Sequence, residues 1–98
     1  MLIIKYTKRA EADLDEIFYS IFQDKKLTAI EYVNKMREFI RLLQMNPALG
    51  FDCKKKNIHK NCRILVFDSY NIYYIIFENS IRISKIVNSK QNSKNTKL

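Results

Sequence analysis

Ninety-eight residues with 47% hydrophobic content suffice for one domain with a single two-layer core, and one glycine and one proline exclude a loop-dominated chain. No apolar run approaches the roughly 18 residues of a membrane-spanning helix. The apolar start Met1–Ile4 is followed, not preceded, by Lys5, Lys8 and Arg9, so no signal-peptide layout is present and a cytoplasmic protein is expected. The net charge of +8 is uneven. Residues 1–49 carry eight basic and seven acidic side chains, whereas residues 50–98 carry ten basic and three acidic. Such a positive half favours encounters with nucleic acid or an acidic protein, although a Lys-, Asn- and Ile-rich composition alone produces the same excess.

Leu2 to Tyr6 reads as a short strand, and Thr7 as the cap of a following helix whose apolar stripe is Ala10, Leu14, Ile17, Phe18 and Ile21. Glu11, Asp13, Asp15 and Glu16 fall early in that helix and Lys25 and Lys26 at its far end, both with the sign its dipole favours. Thr28-Ala29-Ile30-Glu31 has capping-box spacing for a second helix, with Leu27 placed to staple its entry. Its stripe is Ile30, Val33, Met36, Ile40 and Leu43, widened by Phe39 and Leu42, and Asn46-Pro47 ends it. Two or three joining residues make the helices an antiparallel hairpin.

Residues 50–61 read as one extended irregular stretch, holding Lys54, Lys55, Lys56, His59 and Lys60. Cys53 and Cys62, nine positions apart with one histidine in the chain, make neither a disulfide framework nor a zinc site; reduced, metal-free thiols are expected.

Cys62 to Val87 reads as a three-stranded meander with turns at Asp68-Ser69 and Asn79-Ser80. Cys62, Ile64 and Val66 alternate with Arg63, Leu65 and Phe67. Tyr70 to Phe77 is apolar or aromatic almost throughout, as in a strand covered on both sides. In the third strand, simple alternation puts Ile81, Ile83, Lys85 and Val87 on one face and Arg82, Ser84, Ile86 and Asn88 on the other. The meander needs a cover, which the helical hairpin supplies. The expected fold is α+β: an antiparallel sheet with an N-terminal strand, a helical hairpin and a C-terminal meander in one domain over residues 1–87. Residues 88–98 are then a basic tail with almost no apolar content.

This order of elements resembles the RelE/ParE toxin superfamily of type II toxin–antitoxin modules. Ala12-Asp13-Leu14-Asp15-Glu16-Ile17-Phe18 is similar to the A-x-x-D-L-x-x-I-aromatic opening of the family's first helix, with altered spacing. Asn46-Pro47-Ala48-Leu49-Gly50 is similar to the P-x-L-G that closes its second. Cys62-Arg63-Ile64-Leu65 resembles the Y-R-x-L element with Cys for the aromatic, and Tyr70 to Tyr74 matches the Y-x-I-x-Y core strand. The resemblance covers residues 1 to about 90. It implies a small cytoplasmic toxin without cofactor, neutralised by a cognate antitoxin that wraps its hairpin and sheet, for which Leu14, Phe18, Phe39 and Tyr73 are the candidate contacts. It offers two mechanisms: ParE-like inhibition of DNA gyrase without chemistry, or RelE-like cleavage of mRNA on the ribosome. The long hairpin favours ParE.

Cleavage requires a general acid or base and fixed cations converging on one phosphate. Candidates are Lys54, Lys55, Lys56, His59, Arg63, Arg82 and Lys85, with Tyr70 or Tyr73 to stack a base. Arg63, Arg82, Lys85 and Lys90 serve equally as a target- or anion-binding set. Each has a plainer reading: a solvated lysine loop, a solvent-facing His59, core tyrosines, and an Arg63 paired with Asp68 or Glu78. Relatives often finish with a histidine or arginine pair, but Val87-Asn88-Ser89-Lys90-Gln91 has none. Asn88 cannot transfer a proton, and Lys90 lacks arginine's bidentate geometry. That loss counts against RNA cleavage and leaves a third reading, a non-toxic antitoxin-binding module.

Overall fold

The computed structural model describes residues 1–53 and 61–90. Strand β1 (Ile3–Tyr6) leads into helices α1 (Lys8–Phe22) and α2 (Lys26–Arg41). Short 3₁₀ turns at Leu42–Gln44 and Pro47–Leu49 follow, then strands β2 (Phe51–Asp52), β3 (Cys62–Phe67), β4 (Tyr70–Ile76) and β5 (Ser80–Asn88). The sheet order is β1-β5-β4-β3-β2. The three C-terminal strands form the expected antiparallel meander, and β1 joins it in parallel beside β5. The helical hairpin covers one face, completing the α+β fold.

Local chemistry explains most boundaries. The Thr7 hydroxyl accepts the Ala10 N–H at 3.0 Å and donates to the Ser84 carbonyl at 2.7 Å, so the cap of α1 is also a tie to β5. The second helix differs from expectation. It starts at Lys26, without a side-chain cap, because the three joining residues fold back at once, Lys25 N–H bonding the Ile21 carbonyl. Thr28 and Glu31 therefore lie inside the helix and form no capping box, and Leu27, 74% exposed, staples nothing. The buried stripe consequently runs through Ala29 instead of Ile30, then Val33, Met36, Ile40 and Leu43, with Leu42 outside it.

Ala10, Leu14 and Ile17 of α1 meet that stripe over Leu65, Ile72, Tyr74, Ile81, Ile83 and Ile86 of the sheet. Each large side chain so buried contributes about 1.5–3 kcal/mol. The buried set on β5 breaks strict alternation. Opposite Tyr73–Tyr74 the register slips by one, with Lys85 facing Tyr73 and Ile83 facing Tyr74, so Ser84 is a bulge. Beyond it Ile86 turns inward and Lys85 outward, reversing the alternation expected for both residues. Nor is β4 covered on both sides: Ile72 and Tyr74 are buried beneath the helices, whereas Tyr73 and Ile75 are half-exposed.

Two further corrections concern residues 50–61. Phe51–Asp52 pairs antiparallel with β3, Asp52 opposite Arg63, and places Cys53 opposite Cys62. The cysteines form a disulfide across Cα atoms 5.5 Å apart, instead of the expected free thiols. Lys54, Lys55, Lys56, His59 and Lys60 lie outside the described residues. At the other end, β5 continues past Val87, and Ser89 N–H bonds the Ser69 carbonyl at 2.9 Å, so the fold extends beyond the boundary expected at residue 87.

Candidate functional site

Arg63 is held in a clamp where the chain leaves the second 3₁₀ turn. Its Nε donates to the Gly50 carbonyl at 2.9 Å and its guanidinium bonds Asp52 Oδ1 at 2.8 Å. Asp52, not Asp68 or Glu78, is thus its carboxylate partner. The β3–β4 register sets Arg63 beside Tyr74, which is fully buried. Tyr74 Oη accepts the Gly50 N–H at 2.9 Å and donates to the Pro47 carbonyl at 2.6 Å. Burial raises the Tyr74 pKa above its usual 10.0, keeping the hydroxyl protonated as that donor. Gly50 is required by close approach: a Cβ there would stand 2.9 Å from Tyr74 Oη and press into the Ile64 backbone. Pro47, Gly50, Arg63 and Tyr74, met in sequence as three separate motifs, form one structural joint.

The opposite face of the sheet carries Lys5, Arg82 and Lys85. Arg82 stacks over Phe77 with 4.6 Å from guanidinium carbon to ring centroid, and the Lys85 ammonium sits 4.6 Å over Tyr73. The parallel register adds Lys5 of β1 beside Arg82. Only the bulge at Ser84 brings Arg82 and Lys85, three positions apart, to the same face. Apolar surface surrounds them: Ile3, Val66 and Phe51 are exposed and Ile64 half-exposed. Lys90 is exposed beyond β5, its N–H bonding Asn88 Oδ1 at 2.9 Å.

The register therefore parts Arg63 from Arg82. Arg63 is level with Tyr74 on the helix side, whereas Arg82 faces Ile75 on the open side. Of the residues named for a cleavage site, Lys54, Lys55, Lys56 and His59 lie outside the described residues; of the other three, Arg63 is on the helix side and Arg82 and Lys85 are on the open side. Tyr70 is half-buried, edge-on to Tyr32 at 6.4 Å between ring centroids, and Tyr73 lies under Lys85. Among the candidate antitoxin contacts, Leu14 is 2% exposed and belongs to the core, which removes it from any surface. Phe18, stacked on Phe22, and Phe39, packed on Phe67, are partly exposed, as is Tyr73.

Three features were not singled out from sequence. Asp13 accepts the Ile86 N–H at 2.9 Å while Arg9 Nε approaches both its oxygens at 3.1–3.2 Å, joining α1 to β5. Its place in the A-x-x-D-L motif was the available signal. Tyr32 donates to Asp68 Oδ2 at 2.7 Å, pinning the β3–β4 turn, where Asp68 adopts φ 54°. Arg37 and Arg41, one turn apart on α2, line a cleft of about 310 Å³ along β1 with Ile3, Ile4, Tyr6 and Gln44. Their four-residue spacing was the signal there, and it reads first as a solvated helix face.

A five-stranded, mostly antiparallel sheet covered on one face by a helical hairpin is an α+β fold like that of ParE and RelE toxins. Residues 4–93 match the family described as "ParE toxin of type II toxin-antitoxin system, parDE", and the chain belongs to that family. No curated protein matches it. Among solved structures it is similar to the chromosomal ParDE TA system from P. aeruginosa, with TM-score 0.75 and 22% identity over 90% of this chain and 96% of that one. It also resembles the YoeB dimer from Staphylococcus aureus (TM-score 0.57, 21% identity, 86% and 92% covered). A third is the E. coli DinJ-YafQ complex (TM-score 0.53, 13% identity, 93% and 97% covered). At these identities the likeness is one of fold. No helix among the described residues is long and apolar enough to cross a membrane.

Proposed function

We propose that this ParE-type toxin acts in the cytoplasm by binding and inhibiting DNA gyrase, breaks no bond itself, and is neutralised by a cognate antitoxin. The supporting observation is that, among the described residues, Arg63 lies on one face of the sheet and Arg82 and Lys85 on the other. Acid–base cleavage of RNA needs a proton-transfer group and cations gathered on one phosphate. Arg63 is instead committed to Gly50 and Asp52, while Arg82 and Lys85 lie on aromatic rings of an open, partly apolar sheet face suited to binding a macromolecule. Phe18, Phe39 and Tyr73 are the proposed antitoxin contacts; Arg82, Lys85 and Lys90 are the proposed target contacts.

The test is a short expression pulse in bacteria lacking the antitoxin, following chromosomal DNA and mRNA together. Double-strand breaks and a DNA-damage response with intact transcripts support gyrase inhibition. Transcripts cut within translated codons, with intact chromosomes, overturn it in favour of a ribosome-dependent endonuclease. Normal growth reduces the function to antitoxin binding. Arg82→Glu and Lys85→Glu are expected to abolish growth arrest while leaving stability within about 0.5 kcal/mol of wild type. Full toxicity in both variants would remove the open-face cations from the target site.

A further inference from the structure

β2 is held by its side chains more than by its length. It has two residues, both exposed, and its ladder with β3 consists of Phe51 opposite Ile64 and Asp52 opposite Arg63. So short a strand is marginal on its backbone pairing alone. Two side-chain links reinforce it. Asp52 pairs with the Arg63 guanidinium at 2.8 Å, and the next residue, Cys53, is bonded to Cys62. Both members of the ion pair are partly exposed, and such pairs contribute little by themselves. The covalent bond is therefore what keeps Asp52 against Arg63.

The two halves of the disulfide are not equivalent. Cys62 is 3% exposed within β3, whereas Cys53 lies partly exposed beyond the end of β2. A thiolate attacks a disulfide at one sulfur and expels the other, and access decides which sulfur it meets. Here that sulfur is Cys53 Sγ, and Cys62 is the leaving group. The surrounding face is cationic. Cys62 pairs with Ile75, Ile75 with Arg82 and Arg82 with Lys5, so the cysteine and both cations stand in one row on the open side. Two strand spacings, about 10 Å, separate Cys62 from Arg82, which is about one screening length in dilute salt. Positive charge at that range draws an anionic thiol to the bond and favours the thiolate that leaves it.

We infer that the Cys53–Cys62 bond is a thiol-exchange site for a small anionic thiol of the glutathione class, whose redox state sets whether β2 holds Asp52 on Arg63. In the first step the thiolate sulfur bonds Cys53 Sγ as the Cys53–Cys62 bond breaks. The electron pair of that bond leaves on Cys62 Sγ, which takes a proton from water. In the second step another thiolate bonds the sulfur of the first, and the electron pair returns to Cys53 Sγ, which is protonated in turn. Two small thiols are oxidised to their disulfide and the protein bond is reduced to two thiols. After either step β2 has lost its covalent tether and Arg63 its fixed carboxylate, while Gly50 stays held by Tyr74 Oη. The exchange site stands on the geometry. That it works in the cell rests on the cytoplasmic setting of the proposed function, where disulfides are as a rule transient.

The test exposes the oxidised full-length protein briefly to glutathione, caps free thiols with N-ethylmaleimide and maps both groups by peptide mass spectrometry. Glutathione on Cys53 with maleimide on Cys62 is expected to exceed the reverse pattern about tenfold. Equal or reversed adducts would overturn the assignment of Cys53. A bond that survives reduced and oxidised glutathione in cytosolic proportion would be purely structural and would overturn the exchange site. Arg82→Gln should slow exchange with glutathione more than with the smaller, less charged 2-mercaptoethanol; equal rates in variant and wild type would remove the preference for an anionic thiol. On reduction the Arg63 Nε–H resonance is expected to shift in NMR spectra of the folded chain. An unchanged resonance would separate the redox state from the arginine and overturn the switch. Growth arrest is scored separately: a non-toxic chain that still exchanges at Cys53 refutes the toxin reading and leaves this one standing.

Discussion

Asp13 and Ile86 stand 73 positions apart and meet at 2.9 Å, carboxylate to backbone N–H. Asp13 thereby serves α1 and β5 together. Asp13→Ala leaves the Ile86 N–H without this acceptor, and a hydrogen bond to a charged group is worth about 1.5–3 kcal/mol. Urea unfolding should show a loss of that size, with Asp13→Asn, which keeps an oxygen acceptor, losing less. Equal stability of Asp13→Ala and wild type would mean that the contact holds nothing.

The joint at Gly50 is expected to fail in two distinguishable ways. Tyr74→Phe removes one donor and one acceptor and strands the Gly50 N–H and Pro47 carbonyl, costing about 1–3 kcal/mol. Gly50→Ala drives a Cβ against Tyr74 Oη and the Ile64 backbone, so the chain must move at a packed crossing. Thermal unfolding should rank Gly50→Ala as the more damaging. If it melts with wild type, the approach of the two segments is looser than described.

Reduction should loosen one edge of the sheet and spare its centre. The Cys53–Cys62 bond closes a short ring that includes residues 54–60. Chain entropy assigns such a ring about 2.5 kcal/mol. Hydrogen exchange in dithiothreitol is expected to accelerate at Phe51 and Asp52, where the pairing is two residues long, and to change little in β4 and β5. Uniform acceleration throughout the sheet would contradict that picture.

Alkaline pH should destabilise the fold through its tyrosines. Burial, the largest cause in each case, raises the pKa of Tyr6, Tyr32 and Tyr74 above the usual 10.0; at Tyr32 the bond donated to Asp68 adds to the shift. Folded phenols hold their protons after unfolded ones have lost theirs. Their contribution is therefore complete below pH 10.0 and declines as pH rises through the folded values. Urea midpoints should hold to about pH 9.5 and fall above about pH 10, and Tyr32→Phe should flatten the decline. An identical slope in that variant would exclude Tyr32 as a contributor.

Much of the fold was legible because local periodicity and global packing agree. The spacing of Ala10, Leu14 and Ile17 needs no tertiary information to mark a buried helix face. Thr7 is likewise a cap in both sequence and structure. What escaped depends on partners distant in sequence or on competing local signals. β2 is two residues long and exists only by pairing with β3, and without it nothing brings Cys53 opposite Cys62. Thr28 and Glu31 have a sound capping pattern, yet the tight turn at Gln23–Lys25 starts the helix earlier. Arg63 was recognised, but its carboxylate partner sits on the strand that was missed. Arg37 and Arg41 gained meaning only when β1 was placed beneath them.

The bulge at Ser84 has a consequence for comparing this chain with its relatives. A relative whose last strand lacks the extra residue is one position shorter between the equivalents of Arg82 and Ile86. Aligned without a gap from Arg82, its equivalent of Lys85 would fall on Ser84 and its equivalent of inward Ile86 on outward Lys85, so a shared core position would be scored as a substitution. The gap belongs at Ser84, inside a strand, where alignment by secondary structure would forbid it.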